Sequence, residues 1–427
     1  MTPYRPCEAF PSASAPPFLD KSGGTGDQMG WAMAEQRGSL KSLREWQRER
    51  RRKALEGVRE RRSKAREEEL RRKREIHAVG ELELELDRNE EGAGVVVSLG
   101  RQQNRPGYLR SREACKRYAA ELLAMEWLVD VPEDLWANWY VTPRPEGPRC
   151  LLISQAGSTV SRCKNGSVHK EFQSALPNGS RGTRSPGTKG SKCVLDAVYH
   201  APTSTFYVTD CITWEDYSLV DCDFEFRSFW LAQKFEGVAP GGVREGEPAL
   251  MLAPRERATR EMISRAYSGE EGLGYTRDGL IFTHKDSTYV QGGRPTPLCL
   301  QWKDAHCSRY PIDTDAKGVV LETQRVVLQL QEDARSVGTG DDPPVVLGKI
   351  PKTFSDNNAD KLRPGQLFRF NLGPRGFDFG ADGRPMGASL ELAGLSHKRA
   401  KGDIISRILF QHLLRTGQIT FESLVRE

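Results

Sequence analysis

The stretch from Tyr275 to Lys303, YTRDGLIFTHKDSTYVQGGRPTPLCLQWK, decides how the chain folds. Two short apolar runs within it, Gly279–Thr283 and Leu298–Trp302, have the length and composition of β-strands. The polar loop between them contains glycine and proline, so the pattern predicts two strands joined by a loop. Trp302 ends the second strand beside Lys303, and an indole next to an ammonium group suits a flat, anionic ligand. A core tryptophan beside a solvated lysine is the alternative.

The composition of the whole chain narrows the class of protein. Its 427 residues are enough for two or three domains with a sizeable core. No apolar run approaches the length of a membrane span and the N-terminus lacks a signal-peptide pattern, so we expect a soluble protein without a membrane partner. The nine cysteines are scattered and form no CxxC pair, which favours a reduced cytosolic or nuclear compartment without a zinc site or disulfide framework.

Residues 39–75 form a strongly basic segment that predicts a helix. Between Lys41 and Glu75, sixteen Lys and Arg residues accompany eight Glu residues, and one glycine interrupts a run of strong helix formers. The apolar residues are too few to bury one face in a globular core. We therefore expect a helix that is solvated or lies against an acidic partner. A nonspecific RNA-binding arm is a second alternative.

Composition also divides the rest of the chain. Residues 1–38 are rich in Pro, Ser, Gly and Ala and are predicted to be disordered. Residues 76–108 are acidic and then polar, which indicates a linker. Residues 109–318 are expected to fold as one domain, and residues 319–427 as a C-terminal module.

Within the larger domain, the periodicity changes from helical to strand-like. Apolar residues recur at helical spacing from Leu109 to Pro132, where proline ends the predicted helix. A hairpin follows, with a strand at Cys150–Ile153, a turn at Ala156–Thr159 and a returning strand at Val160–Arg162. The further predictions are strands at Cys193–His200, Thr205–Thr213 and Asp223–Phe229, and then a loop and a charged helix within Pro240–Arg260.

Several motifs resemble those of the covalent nucleotidyltransferases, which include mRNA guanylyltransferases and DNA ligases. DGLIFTH and LQWKD resemble motifs IV and V, whose strands line the nucleotide pocket in that family. Motif I, K-x-D-G-x-R, falls on SQAGST when it is aligned on Gly157, so Ser154, Ala156 and Thr159 replace its lysine, aspartate and arginine. A serine hydroxyl cannot form the phosphoramidate adduct, so we expect no catalytic residue and no cofactor. Asp210–Ile212 replaces the metal-supporting D-G-E of motif III, so no metal is expected either.

The order of segments between residues 109 and 311 resembles the snurportin family, adaptors that carry trimethylguanosine-capped small nuclear RNAs into the nucleus. EWLVDVP and WYVTPRPEGPRCL are similar to the start of its cap-binding domain. The resemblance implies an α+β fold, a nucleotidyltransferase-like antiparallel β-sheet cap-binding domain that follows a basic N-terminal helix. It also implies that Trp302 stacks on the cap, that Trp127 contacts it and that Lys164 meets its phosphates. The implied cap-binding residues are Met125, Trp127, Ser154, Gly157, Ser158, Lys164 and Trp302.

Such a site has a physical basis. Methylation at N7 makes guanine cationic, so an electron-rich indole stacks on it more strongly than on a neutral base. The two N2-methyl groups add apolar surface, which a pocket of tryptophan and aliphatic groups prefers. The alternative readings are a core residue on a helix face for Trp127 and an ordinary turn lysine for Lys164.

The basic segment resembles the importin-β-binding segments of snurportin and of importin α. There an entry segment with Leu and Lys precedes an Arg-rich helix, which importin β wraps. The implied importin-β-binding residues are Leu40, Lys41, Arg50, Arg51, Arg52, Lys53, Arg61, Arg62, Arg71 and Arg72. The implied partners are trimethylguanosine-capped U snRNA or its snRNP, importin β and an exportin for recycling, with shuttling between nucleus and cytoplasm. The family's hydrophobic export segment is not evident in this sequence.

The C-terminal module departs from animal snurportins, which end near its start. Strands are predicted at Val319–Leu330 and Leu367–Leu372, a loop at Asp341–Pro344 and an amphipathic helix at Asp403–Leu414. Strands followed by a final helix resemble the OB-like domain of capping enzymes, although its motif VI is not visible.

The sequence leaves three hypotheses about function. The first is a non-catalytic cap-binding import adaptor, which the missing motif I lysine and the basic helix favour. The second is an active RNA guanylyltransferase or ligase-like nucleotidyltransferase with a displaced lysine. The third is a scaffold that kept the fold and lost the ligand.

Overall fold

A computed structural model describes most of the chain. The described residues are 44–71, 112–183, 191–238, 245–269, 272–310, 319, 321–358, 361–380, 385–396 and 401–426. The predictions for residues 1–38, Leu40, Lys41, Arg72 and the linker at 76–108 lie outside them.

The described residues form eight helices and seventeen strands. The helices are α1 (44–71), α2 (Arg112–Tyr118), α3 (Leu135–Asn138), α4 (Phe224–Phe235), α5 (Arg260–Ser268), α6 (Lys352–Asn357), α7 (Ile405–Arg415) and α8 (Phe421–Val425). The first twelve strands are β1 (Ala124–Trp127), β2 (Trp139–Pro145), β3 (Arg149–Gln155), β4 (Ser158–Cys163), β5 (Val168–Phe172), β6 (Lys192–His200), β7 (Thr205–Trp214), β8 (Tyr217–Ser218), β9 (Ala249–Leu252), β10 (Glu256–Arg257), β11 (Arg277–His284) and β12 (Pro295–Trp302). The C-terminal strands are β13 (Arg325–Leu330), β14 (Ser336–Gly338), β15 (Val346–Lys349), β16 (Leu367–Phe379) and β17 (Pro385–Leu395).

The strands form three sheets. Sheet A has the order β1-β12-β11-β2-β10, and sheet B has the order β5-β4-β3-β6-β7-β8 with β9 beside β7. Sheet C, in the C-terminal module, has the order β15-β14-β13-β16-β17. The two strands predicted in the opening stretch are β11 and β12, which pair antiparallel with Leu280 opposite Trp302. The predicted hairpin is β3 and β4, with Ile153 opposite Val160. Both predictions are confirmed.

The helix predicted from Leu109 to Pro132 is wrong over most of its length. Among the described residues it extends only from Arg112 to Tyr118, and the chain then forms β1. β1 lies parallel to β12, with Trp127 opposite Gln301. Pairing with the exposed edge of β12 outweighs the helical periodicity, because local propensity is weaker than tertiary pairing. Trp127 therefore lies on an edge strand and not on a helix.

Two further predictions fail for local reasons. Asp223–Phe229, predicted as a strand, forms the cap and the first turns of α4. The side chain of Asp223 caps this helix by accepting a hydrogen bond from Phe226 N. The charged helix predicted within Pro240–Arg260 starts only at Arg260, after Thr259 caps α5 in the same way.

Sheet A separates two apolar layers. On its inner face, toward sheet B, Ile281 and Cys299 cluster with Leu151 of β3. On its outer face, Leu280 and Trp302 join the core of the C-terminal module. The two-residue period of the strands assigns alternate side chains to the two faces.

The C-terminal module contains sheet C and helices α6, α7 and α8. The predicted amphipathic helix is α7, which buries Ile408, Leu409 and Phe410 against the outer face of sheet A and the strands of sheet C. Its assignment as OB-like stays a prediction.

Two general features concern the part of the chain described here. None of its helices has the length and apolar character that a membrane crossing needs. Its cysteines, from Cys115 to Cys307, are all free thiols.

Candidate functional site

The strand β1 positions two of the predicted cap-binding residues on opposite faces of sheet A. Met125 belongs to the inner apolar cluster, whereas Trp127 packs against the outer core. Residues two apart on a regular strand share a face, but a register shift between Met125 and Glu126 marks a bulge that turns Trp127 outward. There its ring stacks on Phe410 of α7, with 5.0 Å between the ring centroids.

A cavity of about 220 Å³ lies on this outer face. Its lining consists of Trp127, Arg144, Asp278, Leu280, Gln301, Trp302 and Lys303. The side chain of Trp302 is fully buried, and its indole nitrogen has no hydrogen-bond partner within the described residues. A buried donor without a partner is costly. The structure therefore brings the two predicted tryptophans to one cavity, with a free donor on one of them.

The polar side of the cavity is a cluster of charges around Asp278. Its carboxylate accepts hydrogen bonds from Lys303 Nζ at 3.0 Å and Ser308 Oγ at 2.6 Å, and it pairs with Arg144. Burial lowers the pKa of Lys303 and of Arg144, while Asp278 counteracts this effect. Two cations with one carboxylate leave an excess positive charge beside the tryptophans.

Lys164 lies on the turn between β4 and β5, with its side chain exposed. Its pKa is lowered, because protein atoms exclude water from the ammonium group and because Arg149, Lys401 and Arg407 add positive charge nearby. Arg149 begins β3, and Lys401 and Arg407 belong to the C-terminal module. The predicted phosphate lysine thus lies within a group of cations from two parts of the chain.

The predicted residues of the β3–β4 turn lie apart from this group. Lys164 and Ser158 are separated by six residues along the hairpin, roughly 20 Å. Ser154 is buried and donates a hydrogen bond to Pro177 O at 2.8 Å, while the amide of Gly157 donates to Asn178 O at 2.8 Å. Gly157 has a φ of 87°, a conformation that glycine adopts easily. These contacts give the turn a structural role.

The space between sheets A and B is filled by ion pairs that sequence analysis missed. Asp196 pairs with Arg149 and accepts a hydrogen bond from the Tyr289 hydroxyl at 2.8 Å. Arg227, fully buried, forms two hydrogen bonds of 2.9 Å to Asp210. The remaining cavity is about 30 Å³, room for no more than a few water molecules. Charged residues within apolar strands indicate that buried ion pairs exist, but the sequence does not show which residues pair with each other.

The first half of α1 packs against β1 and the residues after it. Gln47 is fully buried; its amide donates to Trp127 O at 2.8 Å, and its carbonyl accepts from the amides of Val129 and Asp130 at 2.8 Å each. Arg50 donates to Glu126 at 2.5 Å. The expectation that the apolar residues could bury no face is wrong for this half, because one tryptophan, Trp46, and polar side chains with partners bury it.

Further acidic partners of α1 lie in the same domain. Arg51 is buried and pairs with Asp130, so the helix does meet carboxylates, which belong to its own chain. Arg62 donates to Asp223 at 3.0 Å.

The remaining predicted importin-β-binding residues of α1 are exposed. Arg52 and Lys53 pair within the helix with Glu49. Arg61 and Arg71 lie in the second half, where nearly every side chain is exposed. Among the described residues of α1, the second half therefore exposes most of its basic side chains to solvent.

Comparison with known proteins identifies the central domain. Residues 121–302 match the family model described as Snurportin1, m3G cap-binding domain. Residues 121–302 are a snurportin-like domain. The match contains β1, β12 and both tryptophans of the outer cavity.

Solved structures similar to the chain are DNA ligases. Mycobacterial DNA ligase D complexed with ATP and MES is 12% identical, with a TM-score of 0.30 over 66% of this chain and 95% of that one. The ligase domain of M. tuberculosis LigD is 14% identical, with a TM-score of 0.31 over 66% and 95%. A Lig E DNA ligase is 11% identical, with a TM-score of 0.28 over 64% and 98%.

The predicted fold class is confirmed. The snurportin-like domain is an α+β fold built on mainly antiparallel sheets. Within the described residues, no group of three or more His, Cys, Asp or Glu side chains is arranged to hold a metal ion.

Proposed function

We propose that this protein is a non-catalytic adaptor that binds the 5′ trimethylguanosine cap of small nuclear RNAs and links the snRNP to importin β for nuclear import. The observation that carries the proposal is the snurportin-like domain at residues 121–302. The outer cavity supports it, because two tryptophans and an excess of cations suit a cationic base followed by phosphates. The proposal includes shuttling between nucleus and cytoplasm and recycling by an exportin.

The environment of Ser154 supports a protein without nucleotidyl transfer. The serine occupies the position of the catalytic lysine, is fully buried and donates its hydroxyl proton to Pro177 O. A hydroxyl without a general base is a poor nucleophile. Incubation with radiolabelled GTP or ATP and magnesium should therefore give no covalent adduct. A stable lysine–nucleotide adduct would favour the enzyme hypothesis.

A titration with trimethylated and monomethylated cap dinucleotides, followed by tryptophan fluorescence, tests cap binding directly. Trp127→Ala should weaken binding by about 1–3 kcal/mol, the range for loss of a base–aromatic contact, and should reduce the preference for the trimethylated cap. Lys164→Ala should weaken both caps alike and flatten the salt dependence, because it removes a phosphate contact. Lys192→Ala, at the opposite end of the hairpin beside Gln155, is the matched control. If the folded Trp127→Ala variant binds both caps with the affinity and preference of the wild type, the site lies elsewhere.

The exposed half of α1 offers a sharper test of importin β binding than deletion of the helix. The first half holds β1, so a deletion would disturb the cap-binding domain as well. Alanine substitution of Arg59, Arg61, Lys64 and Arg66, all exposed, should weaken importin β binding and leave cap binding unchanged. Unchanged affinity for importin β would assign the basic helix another role.

A further inference from the structure

We propose that helix α7 of the C-terminal module completes a polyphosphate site together with Lys164 and Lys303, and that this site takes the 5′–5′ triphosphate bridge of the cap. The proposal deepens the function given above, on which it rests for the identity of the ligand. Its two new residues are Lys401 and Arg407, which belong to the C-terminal module and lie beyond residues 121–302.

Helix α7 is fixed against the cap-binding domain next to Trp127. The amide of Trp127 donates a hydrogen bond to Ser406 Oγ at 3.2 Å, and Phe410 stacks on the indole. At the start of the helix, Asp403 accepts a hydrogen bond from Val327 N at 2.8 Å, which ties the segment to sheet C. Arg407 follows Ser406 directly, so its position relative to Trp127 is set by these contacts.

Arg407 lies near both Lys164 and Lys303. Its positive charge contributes to the lowered pKa of each of these lysines. Lys401 also contributes to the lowered pKa of Lys164. Its ammonium group lies close to Gly293, in the loop before β12. Arg407 therefore links the surroundings of Lys164 with Lys303, which lines the cavity beside the tryptophans.

The cluster carries more positive than negative charge. Three carboxylates pair with its members: Asp196 with Arg149, Asp278 with Arg144 and Lys303, and Asp403 with Arg407. Glu146 also lies near Arg144, so six cations with four carboxylates leave two positive charges in excess. A triphosphate bridge carries about one negative charge on each phosphate, so the charges of ligand and site are complementary.

Two buried donors in this part of the protein lack a hydrogen-bond partner among the described residues. Arg407 donates through Nη1 to Asp403 at 3.0 Å, but its Nε is buried and finds no hydrogen-bond partner within the part of the chain that the structure describes. The indole nitrogen of Trp302, which lines the adjoining cavity, is also buried without a partner. Phosphate oxygens accept hydrogen bonds from guanidinium groups with good geometry, so a polyphosphate would satisfy a donor that the protein leaves unpaired.

The test uses inorganic tripolyphosphate as a probe, with the full chain and isothermal titration calorimetry. The wild-type protein should bind tripolyphosphate with an affinity that falls as salt rises. Lys401→Gln together with Arg407→Gln should reduce this affinity by about tenfold or more, because two charged contacts are lost. Lys361→Gln, an exposed lysine elsewhere in the C-terminal module, is the matched control and should bind like the wild type.

A second pair of ligands separates phosphate from base recognition. The double variant should lose affinity for the trimethylated cap dinucleotide and keep wild-type affinity for trimethylguanosine nucleoside, which lacks phosphate. Lys401→Gln alone covers the case in which loss of the Arg407–Asp403 pair disturbs folding, which circular dichroism would reveal. The single variant should weaken tripolyphosphate binding as well.

The outcomes distinguish this inference from the proposed function. If the wild type does not bind tripolyphosphate, or if the folded variants bind it as tightly as the wild type, the inference is overturned. If the wild type binds tripolyphosphate through these residues but does not bind the cap, the proposed function fails and the polyphosphate site stands.

Discussion

The two faces of sheet A differ in how their polar groups are satisfied. On the inner face, Arg149 and Arg227 have carboxylate partners, and the space between the sheets holds almost no cavity. On the outer face, a cavity of about 220 Å³ adjoins excess positive charge and the unpaired indole nitrogen of Trp302. The inner face satisfies its charged groups with partners, whereas the outer face has a buried donor without a partner among the described residues.

This difference bears on how the fold is used. In the covalent nucleotidyltransferases the strands of motifs IV and V line the nucleotide pocket, and the sequence resemblance carried that expectation to β11 and β12. In this chain the inner surface of the two strands is closed by ion pairs, and the open space lies on their other side. The cavity beside these strands thus faces the C-terminal module.

The largest expected effect comes from breaking an inner ion pair. Asp210→Asn would leave the fully buried Arg227 without its carboxylate and should lower the free energy of unfolding by about 3–5 kcal/mol. Glu225→Gln, which breaks an exposed pair with Arg257, should cost no more than about 1 kcal/mol. Urea denaturation followed by circular dichroism measures both. Similar losses for the two variants would remove the distinction between a structural inner face and the rest of the molecule.

Trp302→Ala should be the next most destabilising change. Replacement of a buried aromatic residue costs about 3–5 kcal/mol, and we expect the lower end because a cavity already adjoins this side chain. Trp302→Phe keeps most of the packing and should cost less, while it removes the indole nitrogen. The same denaturation series measures both variants. A loss below about 1 kcal/mol for Trp302→Ala would show that the outer face does not depend on this ring.

Gln47→Ala tests whether the contacts of α1 stabilise β1. The change leaves the amides of Val129 and Asp130 without an acceptor and should cost about 1–3 kcal/mol. Amide hydrogen exchange should become faster in residues 44–58 and in β1. Arg52→Ala, at an exposed position of the same helix, should change stability by less than about 0.5 kcal/mol. Unchanged exchange in β1 would mean that the helix does not stabilise the strand.

The smallest effect concerns Asp134, at the edge of the outer core. Burial raises the pKa of its carboxyl group, but hydrogen bonds from His284, Asn138 and Trp139 outweigh burial and hold the pKa below its ordinary value. Because the unfolded pKa is about 4, the group adds stability above that pH and loses this contribution as pH falls through the folded pKa. Asp134→Asn should therefore reduce the loss of stability between about pH 5 and about pH 2. Identical pH profiles for variant and wild type would contradict the assignment.

Short sequence patterns predicted the strands and turns that such patterns determine. The strands β11 and β12 and the β3–β4 hairpin follow from apolar runs and turn residues, and Trp302 beside Lys303 was evident from the order of residues. The position of Trp127 could not be predicted in this way, because an edge pairing with β12 overrides its helical spacing. The roles of Gln47 and Arg407 depend on partners far away in the chain, and periodicity carries no information about such partners.

The contacts of Gln47 have a consequence for how copies of the protein behave toward one another. β1 is the outermost strand of sheet A, and an uncovered strand edge is a template for pairing with another chain. Gln47 occupies Trp127 O and the amides of Val129 and Asp130, and Ser406 occupies Trp127 N. The basic helix therefore shields this edge from intermolecular strand addition. A chain shortened to begin after residue 75 would lose that shield, and we expect it to associate with other copies through the uncovered edge of β1.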